Sequence, residues 1–233
     1  MAASGKFVVI EGIDGSGKRT QLELLAHALG ERGISVEQIS FPNYSGFFGK
    51  LVARFLNGEF GALEEVDPHF SALLYAGDRL ESKPKLDAAL ATGKTLLADR
   101  YIGSNLAHQT ARVPTEKRAE FTAWLRQLEY GIYGLPAEDL VLYLRVPVEQ
   151  AHRLIGEKAA RDYTTRQRDL QEASRSHLET AAGVYEELAR QPNWATIECA
   201  DSVTGSLRTP AAIHEQILGV IGARILSSVQ AAR

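Results

Sequence analysis

The sequence predicts an α/β fold: a mainly parallel sheet of about five strands, with helices on both faces. Three observations carry that expectation. Five short apolar runs lie at 7–11, 35–40, 95–99, 140–146 and 195–199. Apart from the half-polar second run, they are nearly continuous in apolar residues, as strands covered on both faces are. Segments of helical periodicity fill the gaps, and strand alternating with helix means βαβ units. A chain of 233 residues fits one domain, 1–233, with at most a small insert.

Taken in order, the run at 7–11 is followed by Leu22, Leu25 and Leu29, an apolar stripe that stops at Gly33. Asp67-Pro68 opens a further helix that stops at Gly93, just before the third strand. Thr115 precedes a stripe of Phe121, Trp124, Leu125 and Leu128. Leu178, Ala181, Ala182, Tyr185 and Leu188 form another, and Thr209-Pro210 opens the last, through Ile213, Ile217, Val220, Ile221 and Ile225. There is no internal repeat, low-complexity tract or linker. Segment 156–172 differs: it is poor in apolar residues and carries Lys158, Arg161, Arg166 and Arg168. It reads either as a solvated connection between helices or as a basic lid.

Composition removes several classes of function. With 45% hydrophobic and 24% charged residues the chain is globular rather than disordered or fibrous. Its net charge of −3 is wrong for a protein that coats nucleic acid. Cys199 is the single cysteine, so an intramolecular disulfide and a cysteine-based zinc site are excluded. The six histidines show no metal-ligand spacing. No window approaches the roughly 18 apolar residues of a spanning helix, and the N-terminus lacks a signal-peptide apolar region. The expectation is a cytoplasmic protein that engages neither membrane nor nucleic acid.

The strongest motif is Gly12-Ile13-Asp14-Gly15-Ser16-Gly17-Lys18, followed by Arg19-Thr20. It leaves a strand and opens a helix, the context a phosphate-binding P-loop requires. The glycines let backbone N–H groups turn toward phosphate oxygens, and the helix N-terminus adds its unpaired donors. Lys18 reaches the β- and γ-phosphates. Arg19 stands where a Ser or Thr metal ligand is usual, and Thr20 follows one residue later, about 100° around the helix. Either Thr20 reaches the metal from another angle, or waters and carboxylates hold it. Arg19 then faces phosphate or solvent.

A second constellation, Asp99-Arg100-Tyr101, ends the third strand. Ligands of open parallel sheets sit beyond the carboxyl ends of strands, which puts Asp99 and Arg100 beside the P-loop. The Asp suits a Mg²⁺ or its water, and the Arg suits bidentate phosphate binding.

With these motifs in place the chain resembles the thymidylate kinases over nearly its whole length. The resemblance rests on EGIDGSGKRT (11–20), FPNY (41–44), LLYAGDR (73–79), DRYIGSNLAHQTAR (99–112), LEYGIYGLP (128–136) and the arginine-rich segment ending in RDLQE (168–172). The GKRT ending resembles a bacterial subgroup that also carries arginine there. The resemblance implies a three-layer P-loop NTPase fold with a short arginine-rich lid at about 156–172. It also implies transfer of the ATP γ-phosphoryl to dTMP with Mg²⁺, in a homodimer.

Residue by residue, it implies that Gly12 to Thr20 bind ATP, with Asp14 approaching either the acceptor sugar or a magnesium. Phe41 would line the deoxyribose region, and Asn43 or Tyr44 would face the acceptor phosphate. Tyr75, which also fits a helix core position, would stack on thymine. Arg79, Ser104 and Asn105 would meet the base, and His108 the sugar, where many relatives have an aromatic. Arg100 would bridge the acceptor phosphate and the transferring group. Asp14, Asp99 and Glu172 are the implied metal carboxylates. The helix around 68–80 and the 121–128 stripe could supply the dimer interface. Position 15 is Gly rather than Arg, which implies that the lid supplies the catalytic arginine, with Arg161 and Arg166 the candidates beside Lys18 and Arg100. The alternatives are a kinase of another nucleoside monophosphate or of a deoxynucleoside, and a nucleotide-binding regulator that performs no transfer. If Arg166 is catalytic, Arg166→Ala lowers kcat by a factor on the order of 10³ or more with dTMP affinity little changed; steady-state kinetics showing unchanged turnover would remove it from the catalytic set.

Overall fold

The computed structural model describes residues 5–156, 171 and 175–226. Five parallel strands form one sheet: β1 (Lys6–Glu11), β2 (Val36–Ser40), β3 (Thr95–Asp99), β4 (Leu140–Arg145) and β5 (Trp194–Glu198), in the order β2-β3-β1-β4-β5. All five expected runs are strands, with ends shifted by at most a residue or two. The half-polar run is β2, at the sheet edge, where one side needs no cover. The central strands β1, β3 and β4 are almost wholly buried. The order turns at β1, whose neighbours are β3 and β4, and this switch point opens a crevice at the carboxyl end of the sheet.

The helices are α1 (Lys18–Glu31), α2 (Phe47–Leu56), α3 (Pro68–Ala91), α4 (Ile102–Thr110), α5 (Arg118–Arg126), α6 (Val148–Gly156), α7 (Arg175–Leu188) and α8 (Pro210–Ile221). A π-helical turn, Gln127–Ile132, extends α5. Helices α1 and α8 pack together against the sheet, and α3, α4, α5 and α7 build the other helical layer. The start signals are explained by capping. Asp67 accepts from the backbone N–H groups of His69 and Phe70, and Thr209 from that of Ala212, each with a proline at the first helical position.

Helix α2 was not anticipated from sequence. Its N-cap is Gly46, which has no capping side chain, and the capping group comes from another helix. The Glu81 carboxylate of α3 accepts from the N–H groups of Phe47 (3.1 Å) and Phe48 (3.2 Å). Val52, Phe55 and Leu56 of α2 pack with Leu63, Val66 and Leu74 as a small second core, distinct from the main one around the sheet. The 121–128 stripe belongs to the main core rather than to an interface: Phe121, Leu125 and Leu128 are all buried. Arg112 of the DRYIGSNLAHQTAR segment anchors the connection from α2 to α3. It donates to the carbonyls of Leu63 (2.7 Å) and Val66, and to Ser71 Oγ and Gln109 Oε1.

Gly49 marks the tightest contact between α2 and the 41–46 loop, since a Cβ there would lie 1.8 Å from the Asn43 carbonyl oxygen. Gly219, in α8, has open space at that position. Gly49→Ala therefore destabilises by about 1–3 kcal/mol through overpacking, whereas Gly219→Ala is neutral or stabilising by about 0.5–1 kcal/mol. Thermal unfolding of the two variants checks the contrast, and equal shifts would contradict the packing described.

Candidate active site

The crevice holds a cavity of about 990 Å³ that runs from the P-loop to helix α3. On one side the loop leaves β1 and enters α1 through Gly17, whose φ of +84° is left-handed. Gly17 is the N-cap and has no side chain to satisfy the first N–H groups of α1, which leaves them facing the cavity as anion donors. Lys18 is buried and donates to the carbonyls of Gly12 and Ile13, each at 2.9 Å. Gly12, Ile13 and Ser16 form the buried floor of the loop, while Asp14, Gly15, Gly17, Lys18, Arg19 and Thr20 line the cavity. Arg19 turns outward: its side chain is 85% exposed and pairs with Glu23 one turn along.

The adjacent wall comes from β3 and α4. Parallel pairing sets Ile10 opposite Asp99, so the P-loop and the Asp99-Arg100-Tyr101 corner leave the sheet at one level. Arg100 is the one non-glycine residue with positive φ, +67°, among the described residues. A bulky residue held in that region signals a site whose surroundings over-determine it. Its guanidinium donates to Asp14 Oδ1 (2.5 Å) and Ser104 Oγ (3.0 Å). Burial opposes its charge, but Asp14, Asp99 and Glu11 around it hold its pKa well above the usual arginine value.

Glu11 fixes this corner. It is fully buried, and Oε1 accepts from the N–H groups of Tyr101 (2.8 Å) and Ser104 (2.9 Å). Oε2 accepts from the hydroxyls of Ser104 (2.6 Å) and Tyr185 (3.0 Å). A carboxylate thereby closes the N-terminus of α4, where negative charge is favoured. Ser104, expected at the base, is engaged between Arg100 and Glu11.

The far wall carries the residues expected to meet the acceptor. Phe41, Tyr44, Tyr75, Arg79, Asn105 and His108 all line the cavity. Tyr75 stands edge-on to Phe55, with ring centroids 6.4 Å apart. Arg79, 2% exposed, gives Nε and Nη2 to the carboxylate of Glu129 at 2.5 and 2.8 Å. Burial disfavours its charge and the Glu129 pair restores it, leaving its pKa above the usual value. Asn105 Nδ2 donates to Glu129 Oε1 (2.8 Å) and to the Ala72 carbonyl (3.1 Å). Its Oδ1 is buried with no partner among the described residues.

His108 and His177 form a buried pair, Nδ1 to Nε2, at 3.2 Å. Burial pushes the His108 pKa well below the usual histidine value, with Arg100, His177 and Lys18 adding to the shift. Burial pushes His177 down to about 4. Both rings are therefore neutral near pH 7, and His108 offers a neutral imidazole to the cavity.

Sequence reasoning missed Glu129 and His177, which hold site residues from behind, and Gln171, which lines the cavity. Glu129 lay inside the LEYGIYGLP motif, but only its burial against Arg79 reveals its role. Arg161, Arg166 and Glu172, and with them nearly all of the expected lid, lie outside the described residues. A group of three or more His, Cys, Asp or Glu side chains able to hold a metal is absent among the described residues.

The depressed pKa of His177 has a defined sign. The unfolded chain binds this proton near pH 6.5 and the folded chain only near 4, so stability is lost as pH falls through that window, by at most about 3 kcal/mol. Asp78 and Glu138, raised by burial to about 6 and about 7, act in the opposite sense. The comparison of His177→Asn with the parent isolates the histidine. The variant loses less Tm between pH 6.5 and 4.5, and identical acid limbs would contradict the assignment.

Three comparisons bear on what this arrangement belongs to. Residues 10–208 match the family model described as thymidylate kinase. The chain is 33% identical over 185 residues to a thymidylate kinase of Mycobacterium tuberculosis (strain ATCC 25618 / H37Rv), covering 79% of this chain and 86% of that one. It is 31% identical over 230 residues to a probable thymidylate kinase of Thermococcus gammatolerans, covering 97% of this chain and all of the relative (100%). The solved structure of thymidylate kinase from Candida albicans shares the fold, with a TM-score of 0.75 at 22% identity over 96% of this chain and 93% of that one. A P-loop, a strained Arg100 facing it and a match spanning most of the chain lead to one conclusion: the chain belongs to the thymidylate kinase family.

Proposed function

We propose that this chain transfers the γ-phosphoryl of ATP to dTMP, giving dTDP and ADP. The observation that carries the reading beyond family membership is the wall at Asn105 and Arg79. Asn105 has spent both Nδ2 protons and retains a buried acceptor oxygen. Arg79 has given Nε and Nη2 to Glu129, and among the described residues Nη1 has no partner. One acceptor beside one donor complements the N3–H and O4 edge of thymine. Tyr75 offers the base an aromatic face.

Transfer to an acceptor phosphate needs positioning and charge neutralisation more than a base, because the attacking oxygen is already anionic. Lys18 and the first N–H groups of α1 would bind the donor phosphates. Arg100 would take the acceptor phosphate and the transferring group, exchanging its hold on Asp14 for phosphate oxygens. A Mg²⁺ brought with ATP supplies further neutralisation of phosphate charge. Asp99, whose Oδ1 is buried without a partner among the described residues, and the neighbouring Asp14 suit such an ion, which uses one or two carboxylates plus phosphates. Glu172 would be a further ligand and Arg161 or Arg166 the lid cations.

A deoxynucleoside kinase would need a free carboxylate to deprotonate a sugar hydroxyl. Glu11, the carboxylate at the end of β1, is instead consumed by four donors. A silent regulator would have no use for Arg100 held under strain beside the P-loop. A homodimer through α3 is supported by the partly exposed Phe70, Leu73 and Leu80 along one face of that helix. No helix of the described residues is long and apolar enough to cross a membrane, which is compatible with the cytoplasmic location we propose.

The test is acceptor-dependent ADP release from Mg-ATP with dTMP, dUMP, dCMP, AMP, UMP, thymidine and no acceptor. The reading expects dTMP to be strongly preferred, and Asn105→Ala to raise the KM for dTMP at least tenfold with that for ATP unchanged. Release with thymidine alone, or none dependent on an acceptor from folded, ATP-binding protein, would overturn it.

A further inference from the structure

Glu129 does not line the cavity, yet both groups that would read the base converge on its carboxylate. Arg79 arrives from α3 and Asn105 from α4, while Glu129 sits on the π-helical turn Gln127–Ile132, fully buried (0% exposed). Irregular turns of this kind recur at functional sites.

The direction of the amide follows from these contacts. An asparagine can present either its oxygen or its NH₂ to a ligand. Here the NH₂ lies between Glu129 Oε1 and the Ala72 carbonyl, two acceptors that cannot donate. Turning the amide over would set its oxygen against both. Asn105 is therefore locked with Oδ1, buried and without a partner among the described residues, as its one free group. The same carboxylate takes two donors of Arg79 and so fixes the guanidinium plane.

We propose that Glu129 is a positioning residue that sets the base specificity of the acceptor site. By locking Asn105 as an acceptor and fixing the plane in which Arg79 donates, it selects pyrimidines with a protonated N3 and a 4-keto group. It disfavours cytosine, which presents a lone pair at N3 and an amino group at C4. The inference rests on the proposed nucleoside monophosphate acceptor.

A glutamine at 129 supplies one acceptor where three donors need two oxygens, and its own NH₂ can bond an inverted Asn105. The experiment measures kcat and KM for dTMP, dCMP and ATP in the parent, Glu129→Gln and Glu129→Asp, with Tm recorded for each. The expected result for Glu129→Gln is a fall of at least tenfold in the dTMP/dCMP ratio of kcat/KM, borne mainly by the KM for dTMP, with the KM for ATP unchanged. Glu129→Asp, which keeps both acceptor oxygens, retains most of the ratio. A merely structural role would lower activity on both acceptors equally, and an unchanged ratio overturns the proposal. Should Glu129→Gln not fold, side-chain amide hydrogen exchange of Asn105 in the parent decides. Protection of both Nδ2 protons supports the lock, and rapid exchange refutes it. Absence of acceptor-dependent activity in the parent would instead remove the functional reading, so the two failures are distinguishable.

Discussion

The Glu11 carboxylate is the contact on which the site depends. It belongs to β1, the strand that delivers the P-loop, and it closes the N-terminus of α4, the helix that delivers Ser104, Asn105 and His108. Four donors on two oxygens leave it little freedom. Sheet register brings the two strand ends level, but register alone fixes only backbone height. The carboxylate adds rotation and depth, tying the P-loop side of the crevice to the α4 side through one buried group. Tyr185 extends the tie to α7, which also carries His177. A buried carboxylate is costly without such partners. With them it becomes a rigid joint.

The same economy governs the charges around the cavity. Arg100 faces Asp14, and Arg79 faces Glu129, so each buried guanidinium has a carboxylate within hydrogen-bond reach. The two pairs differ in what a ligand could do to them. The Arg100–Asp14 pair lies on the cavity wall, each side chain 17% exposed, and in the proposed reaction phosphate would replace the carboxylate there. The Arg79–Glu129 pair is buried, with Arg79 on the cavity wall and Glu129 behind it, and remains a fixed part of that wall. Oriented dipoles and charges set in advance spare reorganisation during the reaction. The backbone strain at Arg100 is consistent with this: the surroundings, not local preference, dictate where the guanidinium sits.

Much of this was legible in the residues. Continuous apolar runs identify the buried strands because burial on both faces leaves no room for polar residues. Proline after a capping residue identifies α3 and α8 because the cap is local. The P-loop is legible for the same reason, since its chemistry lies within nine consecutive residues. What sequence could not show is non-local. Helix α2 is capped by Glu81, 34 residues away from Phe47. Glu129 reaches Arg79 across 50 residues, and His177 reaches His108 across 69. A glutamate in an apolar helical segment carries no mark of its partner. Ser104 shows the limit from the other side: the motif places it in the site, but only the structure shows it clasped by Arg100 and Glu11. The 121–128 stripe shows another, because periodicity marks a buried face without saying whether a core or a second subunit buries it.

In the proposed reaction one crevice would hold both nucleotides end to end, with their phosphates meeting between Lys18 and Arg100. The most direct measurement is calorimetric titration with a bisubstrate ligand, adenosine and thymidine joined at their 5′ positions by a chain of phosphates. The account predicts one molecule bound per chain, competing with both nucleotides and binding about 10²–10⁴-fold more tightly than either, as expected for two sites bridged without strain. Affinity no better than that of dTMP alone, or competition with only one nucleotide, would contradict it.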